Sequence, residues 1–256
     1  MHYIATADTD VGIVKETNQD SLLIKQAVYD KNNKQVLLAV VCDGMGGLAK
    51  GELASSTVIK EFSRWFDEEL PYELDHLNLE VIGGKWSLIL KQLNAKISQF
   101  GLSLGVNLGT TFTGMLFAEG KYLIVHVGDS RAYYVGRDLK QLTIDQTFVE
   151  REVRRGNMTP EQAKVDSRRN LLLQCVGASR EVEPEIVIGD TLNGTYLLCS
   201  DGFRHKVSEP ELIQYFNAAA LPHKQAMHGS AKHVIDLVKS RGERDNISVL
   251  LVKTMS

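Results

Sequence analysis

Five aspartates stand at the boundaries of apolar, strand-like runs: Asp20 in "ETNQDSLLI", Asp43 in "VVCDG", Asp129 in "HVGDSR", Asp201 in "LLCSDGF" and Asp245 in "RGERDNISVLL". Asp favours turns and caps, so one such residue means little. Five in one β-rich chain raise a sharper expectation. If their strands lie in adjacent sheets, the five ends can converge at one edge. Converged carboxylates repel unless they are protonated or bind a cation. An all-oxygen donor set favours Mg²⁺ or Mn²⁺ over Zn²⁺ or copper. The stretch "VVCDGMGGLAKGE" adds a second clue. A glycine-rich turn between a strand and a helix often cradles phosphate, yet Asp43 opens this one with an anion. A metal between carboxylate and phosphate reconciles the two.

The other metal-binding residue types do not compete. His223, His228 and His233 are spaced by five residues, a step of about 140° on a helix, so they scatter around it. His126 lies within a strand, and the seven histidines read as structural. No Cys–His pattern has zinc spacing. Cys42, Cys175 and Cys199 sit in apolar strings, which fits buried, reduced thiols in a cytosolic protein.

The elements that must position the aspartates follow from periodicity. "HYIATADT" and "SLLIKQAV" read as short strands and "QVLLAVVC" as a buried one. Residues 51 to 70 read as a helix with Val58, Phe62 and Trp65 on one stripe, widened by Ile59 and Phe66. Residues 86 to 100 form a second, with Leu90, Leu93 and Ile97 on one face. Strands return in "TTFTGMLFAE", "KYLIVHVG" and "RAYYVG", the first two joined by a tight hairpin. Residues 147 to 176 are polar and arginine-rich, consistent with short surface helices. "PEIVIG" and "TYLLCS" are strands, 208 to 217 and 224 to 240 helices, and "NISVLLVK" a closing strand. Strands in hairpin-like runs and helices in pairs predict two antiparallel sheets packed face to face with helices outside, an α+β architecture.

In order along residues 3 to 253, "TDVGIVKETNQDS", "VVCDGMGG", "GTTFTG", "HVGDSRAY", "LTIDQT", "TPEQAKVDSRRNLLLQCVG", "LLCSDGF" and "RDNISVLLV" resemble the PPM family of metal-dependent serine/threonine protein phosphatases (type 2C) in its compact bacterial form. The resemblance implies a four-layer αββα sandwich with metals in a channel at one edge. It implies that Asp43 bridges two Mn²⁺ or Mg²⁺ ions. The Gly44 carbonyl and Asp20 would serve one ion, Asp201 and Asp245 the other. Asp129, with Asp201, would offer a weaker third site. It implies hydrolysis of phosphoserine and phosphothreonine by a metal-bridging water, in an in-line displacement clamped by both ions. A flap over the rim maps to about residues 145 to 180. Gly46 and Gly47 would let the metal loop turn closely.

The family usually has Arg where this chain has Lys15. A lysine supplies charge to a substrate phosphate without a bidentate grip. Met45 stands where many eukaryotic members carry a histidine proposed as general acid, so metal-bound water is expected to protonate the leaving group. Asp145-Gln146-Thr147 replaces a frequent Asp-His-Ser and could alter substrate docking. Thr110 and Thr111 are expected to pack and hydrogen-bond beneath the metal loop. Asn246 is expected to orient Asp245 or a metal water, with turn capping as the plainer role. Arg151, Arg154, Arg155, Arg168 and Arg169 read equally as phosphopeptide contacts or as a solvated flap surface. "Gly44-x-Gly46-x-x-Ala49" also fits a loose dinucleotide pattern, but lacks the βαβ context.

Composition bounds the rest. The 256 residues are 43% hydrophobic, with no linker or repeat, so a single catalytic domain over 1–256 is expected. A net charge of −3 argues against nucleic acid. "MHYIATADTD" lacks signal-peptide regions, and no run reaches membrane-spanning length. A cytoplasmic monomer is expected. Its partners would be phosphorylated proteins, among them a Ser/Thr protein kinase and its substrates. A non-catalytic phosphoprotein-binding pseudophosphatase is the alternative, and an esterase of small phosphoesters a weaker one. Loss of a metal carboxylate would favour the pseudophosphatase, and none of the five is lost.

Overall fold

Strand β3 (Lys34–Cys42) is buried along nearly its whole length, yet its residues face two different surroundings. Val36, Leu38, Val40 and Cys42 pack in one apolar cluster, and Leu37, Ala39 and Val41 in another. This is the period of two expected of a strand with both faces covered. The same split runs through β12 (Ile247–Met255). Ile247, Val249 and Leu251 face one cluster, and Leu250 and Val252 the other. The structure, a computed structural model, describes residues 1–30, 33–46 and 50–255.

These alternations build four layers. The first sheet has the order β1 (His2–Asp10), β12, β11 (Gly194–Cys199), β8 (Arg131–Val135), β9 (Leu139–Gln141). The second has the order β10 (Glu185–Asp190), β7 (Lys121–Val127), β6 (Phe112–Ala118), β3, β2 (Ser21–Tyr29). All their pairings are antiparallel. Inner faces meet in a cluster that includes Tyr3, Phe117, Tyr196 and Leu250. Helices α1 (Gly51–Glu68) and α3 (Leu79–Leu104) cover the second sheet through Phe62, Trp65, Trp86 and Leu90. Helices α7 (Glu209–Phe216) and α8 (Lys224–Ser240) cover the first through Leu212, Phe216, Met227 and Val234. The expected αββα sandwich is therefore present. A small ribbon, β4 (Gly44–Gly46) on β5 (Leu108–Thr110), lies apart from both sheets.

Local differences from the sequence reading have simple causes. Helix α3 begins seven residues before the expected 86, at Leu79, where the Asn78 side chain accepts hydrogen bonds from the Glu80 and Val81 amides. Gly83 and Gly84 read as breakers, but Gly83 lets the helix come close to Leu123 and Ile186. The first helix stops at Glu68, and a separate short α2 (Leu70–Glu73) carries a proline in its first turn. The β6–β7 hairpin turns through Glu119 and Gly120, both at positive φ, as its tight spacer requires. Helices α4 (Phe148–Arg154) and α5 (Pro160–Val165) fill the arginine-rich stretch. Gly47 and Ala49, which bear on the loop-turning and dinucleotide readings, lie outside the described residues.

The core between the second sheet and its helices is aromatic. Phe62 meets Trp86 edge-on at 5.1 Å and Phe112 at 4.3 Å between centroids, and is fully buried. Truncation to Phe62→Ala is expected to cost about 3–5 kcal/mol of stability through lost burial and a residual cavity. Urea denaturation measures it. A loss below about 1 kcal/mol would mean the cluster repacks around the gap.

Candidate metal centre

Strand direction and register bring the five aspartates together. β3 and β7 flank β6 antiparallel to it, so both end on the same edge of their sheet. Asp43 follows the end of β3, and Asp129 follows β7 after one glycine. Asp20 directly precedes β2, whose Ser21 pairs with Cys42 at that same edge. In the facing sheet, Cys199 pairs with Val249 and with Arg131. The end of β11 thus lies beside the starts of β12 and β8. Asp201 opens α6 (Asp201–Arg204) two residues beyond β11, and Asp245 stands two residues before β12. Asp20 and Asp129 are buried, and Asp43, Asp201 and Asp245 are partly buried.

The electrostatics report the same convergence. Burial holds the Asp43 carboxyl well above its ordinary pKa, and the charges of Asp20, Asp201, Asp129 and Asp245 add to the shift. Burial raises Asp20 to about 6, opposed by the Ser248 and Ser200 hydroxyls and reinforced by Asp201 and Asp245. Burial and Asp201 raise Asp129 to about 7 against the pull of Arg204.

The backbone is shaped around these groups. The Asp43 amide donates to Thr111 Oγ1 at 2.9 Å, and its carbonyl accepts from the Thr111 amide at 2.8 Å and from Thr110 Oγ1 at 2.9 Å. A Cβ on Gly44 would stand 2.4 Å from the Gln19 carbonyl oxygen and 2.5 Å from that of Gly51, so only glycine fits. Gly12 has φ +82°, and a Cβ there would meet the Asp245 carbonyl oxygen at 2.3 Å. The loop leading to Asp20 therefore lies directly on the turn that carries Asp245.

Asn246 fastens that loop. Its Oδ1 accepts from the Gln19 amide at 2.9 Å, and its Nδ2 donates to the Val11 and Thr17 carbonyls at 2.9 and 3.1 Å. The Asp245 carboxylate is oriented instead by the Asn246 backbone amide, at 2.9 Å. The side chain expected to orient Asp245 is thus a clasp between distant segments. Lys15, on the clasped loop, pairs with Asp245 at 2.9 Å, both side chains nearly half exposed.

The Asp145-Gln146-Thr147 segment is held by the fold itself. Asp145 is buried and takes Arg131 in a bidentate pair at 2.7 and 2.7 Å. Gln146 accepts from the Gly128 amide at 2.9 Å, and Thr147 caps α4. These residues tie the start of the arginine-rich stretch to Gly128 and Arg131. Arg204 and His205 escaped the sequence reading. Arg204 lies 3.5 Å from Asp129 Oδ2, and His205 lies 3.6 Å from both Asp201 Oδ2 and Glu243 Oε2. Their signal was spacing: three and four residues past Asp201 is one helical turn.

The donor chemistry fits a hard divalent cation. Asp20 Oδ1 is buried and has no hydrogen-bond partner among the described residues, which is costly for a carboxylate that nothing else neutralises. The surrounding side-chain donors are carboxylate oxygens, as such cations prefer. Among the described residues no three His, Cys, Asp or Glu side chains already close around one point, so the grouping is one of charge and register.

An αββα sandwich with an acidic, oxygen-only cluster at one edge defines a recognisable class of protein. The chain belongs to the protein phosphatase 2C family, whose model matches residues 13–234. It is 34% identical over 248 residues, 96% of its length, to the serine/threonine protein phosphatase PstP of Mycobacterium tuberculosis, and spans 44% of that relative. It is 31% identical to the serine/threonine phosphatase stp of Listeria innocua, covering 96% of this chain and 93% of that one. A solved catalytic domain of PstP in complex with two manganese ions superposes with a TM-score of 0.77 at 30% identity, covering 99% of each chain.

The raised carboxyls make a pH prediction. An unfolded Asp titrates near ~3.9, whereas Asp20 and Asp129 titrate at about 6 and about 7 in the fold. Between those values the native state binds more protons, so the stability of the metal-free chain falls as pH rises toward about 7. Thermal melts in EDTA should give a higher Tm at about pH 5.5 than at about pH 8. Asp43→Asn should raise the Tm at the higher pH and flatten the slope. A wild type more stable at the higher pH would show that the acids do not repel.

Proposed function

We propose that this chain hydrolyses phosphoserine and phosphothreonine monoesters of proteins with Mn²⁺ or Mg²⁺ as cofactor. The convergence of five aspartates from five chain segments at one sandwich edge carries the reading, and family membership supports it. Asp43 would lie across two ions. The Gly44 carbonyl and Asp20 would serve one, Asp201 and Asp245 the other, and Asp129 with Asp201 a weaker third. Such ions, when bound, activate water and neutralise the phosphoryl group.

The protein's own residues account for the rest. Thr110 and Thr111 fix Asp43 from below through its backbone, so the carboxylate is presented without side-chain competition. Ser200 donates to Asp20 Oδ2 at 2.8 Å and leaves Oδ1 for a cation. Asn246 holds Lys15's loop over Asp245. The Lys15 ammonium can turn from that exposed carboxylate to a phosphate dianion, because an exposed pair of this kind is worth only about 0–1 kcal/mol. No protein nucleophile is needed, since a loose phosphoryl transition state asks chiefly for positioning and charge.

The chain is read as one catalytic unit over 1–256, with a flap at about 145–180. A cytoplasmic monomer in signalling, acting on a Ser/Thr protein kinase and its substrates, is the setting that fits relatives named as serine/threonine phosphatases. Among the described residues no helix is long and apolar enough to cross a membrane. The pseudophosphatase alternative gains nothing, because every one of the five acids is present.

Hydrolysis of p-nitrophenyl phosphate and of a phosphothreonine peptide, with Mn²⁺, with Mg²⁺ and with EDTA, tests the reading. Turnover should require the metal, and Asp43→Asn or Asp201→Asn should remove nearly all of it with the circular dichroism unchanged. Full turnover after exhaustive chelation would refute the proposal. Steady-state kinetics on one phosphopeptide test Lys15. Lys15→Ala should raise KM more than it lowers kcat, because the contact exists in the ground state. Lys15→Arg should lower KM through a bidentate grip. Unchanged constants in Lys15→Ala would make it a surface lysine.

A further inference from the structure

Arg204 ends α6, one turn beyond Asp201, and its side chain points inward with 15% exposed. Its Nη2 lies 3.3 Å from the Asp129 carbonyl oxygen, 3.5 Å from Asp129 Oδ2 and 3.4 Å from Asp145 Oδ2. Its Nε is buried and has no hydrogen-bond partner among the described residues. Asp145 is already satisfied by the two-bond pair with Arg131. The guanidinium is thus shared between a carboxylate of the metal edge and the carboxylate at the flap root. It is a poor fit to a purely structural role, which would use all of its donors.

We propose that Arg204 is an internal cation that competes with a divalent ion for Asp129 and so sets how weakly the third ion binds. The inference rests on the reading of Asp129 as a third-site ligand. A guanidinium and a metal cannot both sit against the same carboxylate oxygen without repelling. An ion arriving at Asp129 must therefore push Arg204 toward Asp145. Asp145 begins the flap segment, so third-site occupancy and the flap root share one charged side chain. Arg204 touches no substrate in this scheme and acts as a positioning residue through Asp129.

The test is Mn²⁺ titration of the full chain, followed by calorimetry and by the electron paramagnetic resonance signal of free Mn²⁺. Arg204→Gln removes the competing charge and keeps a side-chain amide. It should tighten the weak site by about tenfold, the scale on which a charge within ~4–6 Å biases a carboxylate. Asp145→Asn should do the opposite, because Arg204 then leans wholly on Asp129. Asp145→Asn also removes a charge that acts on Asp129 directly and frees Arg131, so the weakening supports Arg204 only where it is smaller in the Arg204→Gln, Asp145→Asn double variant. The tight sites should keep their stoichiometry in both variants. If Arg204→Gln fails to fold, Arg204→Met takes its place in the single and double variants, and unchanged weak-site affinity in Asp145→Asn overturns the inference. Asp129→Asn separates the two levels. Loss of the weak site in Asp129→Asn, with no change in the other variants, overturns the role of Arg204 alone. A weak site unaffected by Asp129→Asn overturns the third-site reading and this inference together.

Discussion

Mutual repulsion among carboxylates governs this molecule. Asp43 cannot carry its charge comfortably beside Asp20, Asp129, Asp201 and Asp245, and burial of the inner groups makes matters worse. A fold selected for stability alone would scatter these residues or replace them with asparagine. Here the sheet registers force them together, and everything near them manages the consequence. Ser200 donates to Asp20, Lys15 pairs with Asp245, and Arg204 leans on Asp129. Each local cation or donor offsets part of the charge, and Asp43 keeps a carboxyl pKa held well above its ordinary value. That residual demand for positive charge is what the proposed metal ions would meet.

The layers exist to hold that tension rigidly. Each inner strand divides its side chains between two cores, so a slip by one residue would exchange the two sets and break the packing of both. Registers such as Ser21 with Cys42 and Cys199 with Val249 are therefore fixed by packing far from the edge where they matter. At that edge the backbone takes over. Gly44, Thr110 and Thr111 set one wall, and Gly12 with the Asn246 clasp sets another.

Much of this was legible in the sequence, for reasons that can be stated residue by residue. Alternation in "QVLLAVVC" and the stripe Val58, Phe62, Trp65 report burial directly, because a period is a local property. Asp43, Asp129 and Asp201 were legible because each breaks an apolar strand with a charge. The helix α3 start was not, since Gly83 and Gly84 weaken helix propensity and only contacts with Leu123 and Ile186 explain Gly83. β4, β9 and α6 are three or four residues long, too short to show a period. The partners of Asn246 and Asp145 were invisible, because a clasp to Val11 or a pair with Arg131 depends on tertiary approach. Lys15 showed its charge in sequence, but not its attachment to Asp245.

The clasp at Asn246 joins segments 227 to 235 residues apart in the chain, and β1 pairs along its whole length with β12. A nascent chain that has produced Asp20, Asp43, Asp129 and Asp201 still lacks the turn that seats Gly12 and the strand that completes the first sheet. Contacts so distant in sequence form late and slowly during folding. The architecture therefore ties the birth of the site to the synthesis of β12. A partial product can bury the core around β3 and β6 while the fifth acid and the loop bearing Lys15 remain unassembled, so no fragment ending before β12 carries a finished centre into the cell.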